Sequence, residues 1–375
     1  MNFLRSFLNR NYRFFLGLLI VLSGFTAPTA GYAQEKNTKA AIEPIAVFPV
    51  ENLSGVPAPS KQIRDLFIES LRSAGVVLLP ESNLQRIMAK YRIRYTGGID
   101  SAAAEALSQE GNVRAVLITN IDLYSDWNPP KIGVTARLVS TEKEPVILWM
   151  DSVGISGDDS PGILDVGLIE DPVILLEKAL KSLTTSFRAY SKGLPWRTDI
   201  KDLPEKFKPA IKYRDESVEF SKSTHTIAVV PFYNCSIRKY AGETMALHFA
   251  NQLSHCAQFS VLELGMIRDE LLKQRILMRG GISLADASGL FTLLNCDIIL
   301  AGEVFDYQDY QGPSGTPRVD FSSYVITKDK GEMLWSSFSS NTGDDGVYFF
   351  DVGRVNTAHA MASHMTRSII ELMIQ

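Results

Sequence analysis

The sequence has almost nothing that carries chemistry. It contains no His-Glu-x-x-His, no Cys-x-x-Cys, no Gly-x-x-x-x-Gly-Lys-Ser/Thr and no Gly-x-Ser-x-Gly, so the common metalloprotease, redox, phosphate-cradling and serine-hydrolase signatures are missing. There are five histidines in 375 residues, His225, His248, His255, His359 and His364. His248 and His255 stand seven apart on one predicted helix, whereas a helical metal pair needs a spacing of four. All five are expected as surface or capping residues. No lysine- or arginine-rich run occurs and the net charge is −4, so nothing favours nucleic acid or anionic lipid as a partner. Beyond the N-terminal leader no segment is long and apolar enough for a membrane helix. The expectation is a protein without catalytic residues, metal or cofactor.

What the sequence does have is a stretch written twice. Residues 45–54 read IAVFPVENLS and residues 227–236 read IAVVPFYNCS. Later landmarks return in the same order: Gly97-Gly98-Ile99 as Gly280-Gly281-Ile282, Leu148-Trp149 as Leu334-Trp335, and Gly157-Asp158-Asp159 as Gly343-Asp344-Asp345. Repeated landmarks at a near-constant offset imply two tandem copies of one domain. The predicted organisation is a signal peptide over 1–33, a first copy over 43–190, a polar, proline-containing linker over 191–223, and a second copy over 224–375.

The leader follows from charge and hydropathy. Arg5, Arg10 and Arg13 precede the apolar run Phe14–Leu22, and Gly31-Tyr32-Ala33 offers small residues before Gln34. That pattern predicts a cleaved secretory signal peptide and a periplasmic protein. No cysteine lies near the cut, so no lipid anchor is expected.

Within each copy, short apolar runs alternate with segments of helical spacing. In the first copy, Ile45–Val50 and Val76–Leu79 read as strands. Ile63, Leu66, Phe67 and Leu71 mark a helix, and a second helix carries Leu84, Ile87 and Met88. A small alanine-rich helix follows the paired glycines. Strands from Ala115, Gly133 and Val146 come next, and a helix from Pro172 closes the copy. The predicted order is β-α-β-α-α-β-β-β-α. The fold class is α/β (α+β): two tandem mixed sheets with helices packed on them, the first three strands parallel and the last two an antiparallel hairpin.

Several residues are candidate sites. Asp158-Asp159 and Asp344-Asp345 supply adjacent carboxylates, but without further acids at EF-hand spacing they read as strand-end turns. Asn52-Leu53-Ser54 and Asn234-Cys235-Ser236 match a glycosylation acceptor, yet both fall where Asn and Ser satisfy backbone donors in a turn. Trp149 and Trp335, at matched strand positions, read as core or inter-domain packing. Cys235, Cys256 and Cys296 all lie in the second copy. In the expected fold Cys256 ends a helix and Cys296 begins the third strand at the same end of the sheet. That makes a Cys256–Cys296 disulfide the candidate pairing, with buried thiols as the alternative.

The opening Ile-Ala-Val-x-Pro, the paired glycines before a small helix, and Asp297-Ile298-Ile299-Leu300-Ala301-Gly302-Glu303-Val304 as a third strand resemble the CsgG-like superfamily. The first copy keeps the shape of that strand with Thr119 where Gly302 stands. Members serve in curli secretion, exopolysaccharide export and activation of a peptidoglycan synthase. The resemblance identifies a fold better than a function. It departs from the family in lacking a lipid-accepting cysteine, and its loops after the third strands are too short for membrane hairpins. It implies a non-catalytic scaffold or accessory subunit of an envelope assembly or export system. Its partners would be other envelope proteins or further copies of itself. The alternatives are an activator docking on a peptidoglycan synthase, or a small-ligand sensor with a deep pocket between the copies.

Overall fold

The two similar apolar runs, at Ile45 and Ile227, become the buried starts of two separate sheets. The computed structural model describes residues 44–374 apart from 160–166, 197–204, 216–219, 221–222, 277–280, 311, 313–314, 330 and 348–352. The leader expected over 1–33 lies outside the described residues.

In the first half the elements are β1 (Ile45–Val47), β2 (Glu51–Asn52), α1 (Ser60–Ser73), α2 (Glu81–Tyr91), α3 (Ser101–Gly111), β3 (Ala115–Ser125), β4 (Lys131–Ser140), β5 (Ile147–Ser156) and α4 (Pro172–Ser191). A strand β6 (Ala210–Arg214) follows. The second half holds β7 (His225–Val229), β8 (Tyr233–Asn234), α5 (Ala241–Ser254), β9 (Phe259–Val261), α6 (Leu264–Lys273), α7 (Leu284–Leu294), β10 (Ile298–Gln308), β11 (Arg318–Thr327), β12 (Met333–Thr342) and α8 (Ala358–Ile374). Similar local chemistry ends matching helices. The side chains of Asp100 and Ser283 cap α3 and α7, and Asn112 and Asn295 close them in the left-handed conformation that asparagine tolerates.

The first sheet runs β1-β3-β4-β5 with β2 beside β3; the second runs β6-β12-β11-β10-β7-β9 with β8 beside β10. β1 pairs with β3, and β7 with β10 and β9, in parallel; the hairpins β3-β4-β5 and β10-β11-β12 are antiparallel. The mixed α+β class expected from the sequence holds, with two mixed sheets and helices packed on them.

Two expectations change. Val76–Leu79 is no strand but a single bridge from Leu78 to Ile45, whereas the corresponding place in the second half is β9. The linker is partly built in: β6 pairs along β12, and Phe207, in a 3-10 turn over Glu205–Phe207, is buried in the core of the second half. Prolines there exclude long helices, but they leave an extended edge strand open to the chain.

Helices lie on both faces of each sheet. In the first half α1 and α4 cover one face, with Phe67, Leu117, Trp149 and Leu180 in the core; α2 and α3 cover part of the other, around Phe48, Ile87 and Val116. In the second half α5 and α8 cover one face and α6 and α7 part of the other. The matched helices α1 and α5 differ sharply. α1 buries one stripe, Ile63, Phe67 and Leu71, whereas α5 is buried almost all round. A helix buried on two sides has a second neighbour, and that neighbour is the first sheet.

Candidate functional site

The halves meet where the part of the first sheet left open by α2 and α3 receives α5, α8 and the start of α6. Leu53 and Met150 of the first half belong to the core of the second. Backbones approach closely. Val146 bridges Leu262, and the Glu263 amide donates to the Pro145 carbonyl at 3.0 Å. The loop before α3 touches the start of α6: a Cβ on Gly98 would lie 2.6 Å from the Gly265 Cα, and one on Gly265 would lie 2.4 Å from the Ile99 nitrogen. Glycine is required on both sides of this contact.

A buried ion pair locks the seam. Arg137 on β4 donates from Nε to Glu263 Oε2 at 3.0 Å and from Nη2 to Oε1 at 2.8 Å, and both side chains are fully buried. The rest of the guanidinium is also used: Nη1 donates to Asn120 Oδ1 at 2.7 Å and Nη2 to the Gly97 carbonyl at 2.6 Å. Burial opposes the charge on Arg137, but the Glu263 carboxylate together with Tyr95 and Glu51 outweighs it and the pKa rises. Asn120 also donates to Glu51 at 2.6 Å; burial raises the Glu51 pKa against the pull of Arg137 and Arg268.

A second polar group sits further along the seam. His359 of α8 lies over Gly133 and Gly154, where a Cβ would come 3.0 Å from its Nδ1 and 2.4 Å from its Cδ2. Its Nδ1 is 3.7 Å from Asp122 Oδ2, and the His248 ring is 4.5 Å away, centroid to centroid. Thr135 donates to Asp122, and Arg238, stacked over the Tyr307 ring, donates to the Asp122 carbonyl. Burial pushes Asp122 up to about 7 and His359 down to about 3, and lowers His248 as well. Both imidazole rings are therefore uncharged near neutrality, where Asp122 is partly protonated. Among the described residues, no group of three or more His, Cys, Asp or Glu side chains is placed to hold a metal.

Beside the ion pair is a cleft of about 210 Å³, lined from both halves by Glu51, Tyr95, Arg137, Glu243, Leu247 and Arg268 among others. The Arg268 guanidinium stacks over the Tyr95 ring at 4.2 Å.

Among the described residues, nothing covers the matching part of the second sheet's α6/α7 face. Phe305 on β10 is 43% exposed and lies 6.0 Å from the Phe338 ring on β12. Tyr213 of β6, paired with Ser336 beside it, is 49% exposed. Burial on one sheet and exposure at the same place on the other is the main asymmetry of the molecule.

The residues singled out in the sequence fall as follows. Asn52 Oδ1 accepts from the Ser54 amide and hydroxyl at 3.0 and 2.6 Å, and Asn234 accepts likewise from Ser236 at 2.9 and 2.7 Å, so both motifs are turns. Asp159 accepts from the Ser156 amide and Asp345 from the Thr342 amide, each at 2.7 Å, which closes the strand ends. Trp149 and Trp335 are buried core residues, donating to Ser186 at 3.3 Å and to Ser337 at 3.1 Å. The Cys256–Cys296 disulfide is not formed. Cys256 packs against the core under α5 and α8, while Cys296 lies in the core under α6 and α7, on the other face of the sheet.

The expectation for the histidines needs correcting. His248 and His359 are fully buried in the seam, and His255 Nε2 sits 3.1 Å from the Met150 carbonyl across it. Single-helix spacing treats the outer face of α5 as solvent-facing. The available signal was charge: α5 carries only Glu243, whereas α1 carries Lys61, Arg64, Asp65, Glu69 and Arg72.

No protein-family model matches the sequence, and no curated relative matches it. Among solved structures, the chain is similar to a PelC dodecamer from Paraburkholderia phytofirmans, with 17% identity over 44% of this chain and 99% of that one, at a TM-score of 0.31. It is similar to lipoprotein GNA1162 from Neisseria meningitidis, with 21% identity over 34% and 87% of the two chains, at a TM-score of 0.25. The C-terminal domain of LpoB from Escherichia coli matches at 12% identity over 34% and 88%, with a TM-score of 0.24. Among the described residues no helix is long and apolar enough to cross a membrane.

Proposed function

We propose that the two halves are copies of one domain, and that the protein is a non-catalytic periplasmic scaffold or accessory subunit of a cell-envelope assembly or export system. It works through protein–protein contacts. The observation that carries this is the open face of the second sheet around Phe305 and Phe338, set against the covered face of the first. A partly apolar, exposed sheet face fixed on a rigid unit is suited to docking. The buried titratable groups support a non-catalytic role, because Arg137, Glu263 and Asp122 are spent on one another and on the seam. The envelope setting rests on the leader and on the CsgG-like motifs.

The test is photo-cross-linking in intact cells from position 305, with position 237 as control; Ile237 is 88% exposed but lies in a turn. Adducts from 305 and none from 237 support the reading. No adduct from 305, or recovery of the protein in the cytoplasm, sinks it.

A small-ligand reading has one observation in its favour. The inter-half cleft sets Arg268 against Glu51 and Glu243 beside the apolar Leu247, an arrangement suited to a small zwitterion. Calorimetry against free amino acids tests it, and no saturable heat removes it.

A further inference from the structure

The contact between the halves joins unlike surfaces: a sheet face of the first half receives the helices α5 and α8 of the second. A contact of that kind leaves each half with its other surface unused, the sheet face on the second and the α1/α4 side on the first. We infer that a second copy of this chain occupies the open face, its α4 and the start of its α2 seating on β10 and β11 as α8 and α6 seat on the first sheet. The inference rests on the reading that this face is a docking surface.

Paired positions carry the argument. Asp122 and Phe305 stand at the same place along β3 and β10, and His359 and Val173 at the same place along α8 and α4. Inside the chain Asp122 meets His359, 3.7 Å apart. The corresponding meeting between chains brings Phe305 to Val173, which is 39% exposed and next to Ile174, 54% exposed. Arg137 and Tyr324 stand at the same place along β4 and β11, and Glu263 and Pro80 are the residues before α6 and α2. There the ion pair is replaced by Tyr324, which is half-buried and accepts from the Ile282 amide at 2.7 Å, and by an exposed proline. At the first contact the two sides change together, from polar with polar to exposed apolar with exposed apolar; at the second only the charge is lost, since Tyr324 is held by Ile282 within its own half. Each surface taken alone has no other visible reason to carry exposed apolar side chains there. A third contact, Ser152 with Asn251 at 3.2 Å, does not follow the pattern, because it maps onto Phe338 and the charged Glu69.

Association of this kind is head to tail, and that gives the test its form. Phe305→Lys blocks only the sheet end of a chain, and Ile174→Glu only the helix end. Native mass is measured for the mature chain and both variants up to roughly 100 µM, where weak specific contacts still register. Circular dichroism confirms that both variants remain folded. The expected result is a wild type larger than a monomer and each variant alone monomeric. Mixing the two variants then gives a one-to-one dimer, since one intact end remains on each. A monomeric wild type overturns the inference, while adducts from position 305 to another protein would still uphold the docking reading. Loss of association in Phe305→Lys but not in Ile174→Glu also overturns it, because the face then pairs with itself.

Discussion

Replacing Arg137 by methionine should cost the protein a large part of its stability. The arginine fills its site completely, with two bonds to Glu263, one to Asn120 and one to the Gly97 carbonyl. Methionine keeps much of the apolar stem but leaves the fully buried Glu263 carboxylate without its counter-charge. Removing one partner of such a pair costs about 3–5 kcal/mol, a substantial share of the roughly 5–15 kcal/mol that keeps a typical protein folded. Adding Glu263→Gln removes the stranded charge and retains an acceptor for the start of α6. The double variant should then regain most of the loss. It should stay about 1–3 kcal/mol below the wild type, because Asn120 Oδ1 and the Gly97 carbonyl still lack their donor. Urea unfolding of the four corners of this cycle, followed by circular dichroism, gives the interaction energy directly. The reasoning is refuted if Arg137→Met lies within about 1 kcal/mol of the wild type, or if the double variant is no more stable than the single.

Three further outcomes follow from the same seam. Asp122, raised from 3.8 to about 7, holds its proton more tightly folded than unfolded, so its contribution is complete below pH 4 and is lost as pH rises towards 7. At about 1.4 kcal/mol per unit this amounts to ~4 kcal/mol; Asp122→Asn should therefore gain stability relative to the wild type between pH 5 and pH 8, and urea midpoints that shift equally at both pH values would contradict it. Gly98→Ala forces a Cβ to 2.6 Å from the Gly265 backbone and should cost about 1–3 kcal/mol, whereas Gly289→Ala, in α7 with nothing near its Cβ, should gain about 0.5–1 kcal/mol; thermal melts of the pair with the same sign would count against the seam geometry. Without reductant, Cys235 should react with a thiol reagent in the folded protein and Cys296 only after unfolding. The unfolded total should be three, and a total of one would mean that a disulfide forms after all.

The order of elements was readable from the chain alone because each element is specified locally. The stripe Ile63, Phe67 and Leu71 specifies a helix, and alternating Val134, Ala136 and Leu138 specify a strand, although β4, expected half-buried, is buried along its whole length. Asn52 and Ser54 close their turn with their own side chains, and the same is true of Asn234 and Ser236. Local chemistry does not say what lies against the outside of a helix. α1 and α5 each follow the stretch that the sequence writes twice, yet one faces solvent and the other lies beneath a second sheet. Burial of His248 and His359, pairing of Arg137 with a glutamate 126 positions away, and the close approach of Gly98 to Gly265 all depend on that one packing choice. The separation of Cys256 from Cys296 depends instead on which face of a sheet each residue reaches. The linker strand β6 belongs with these, since an edge strand exists only once β12 is there to pair with. Period and turn chemistry determined the elements; the tertiary structure decided which of their faces are buried, because burial is a property of two surfaces and the sequence presents them one at a time.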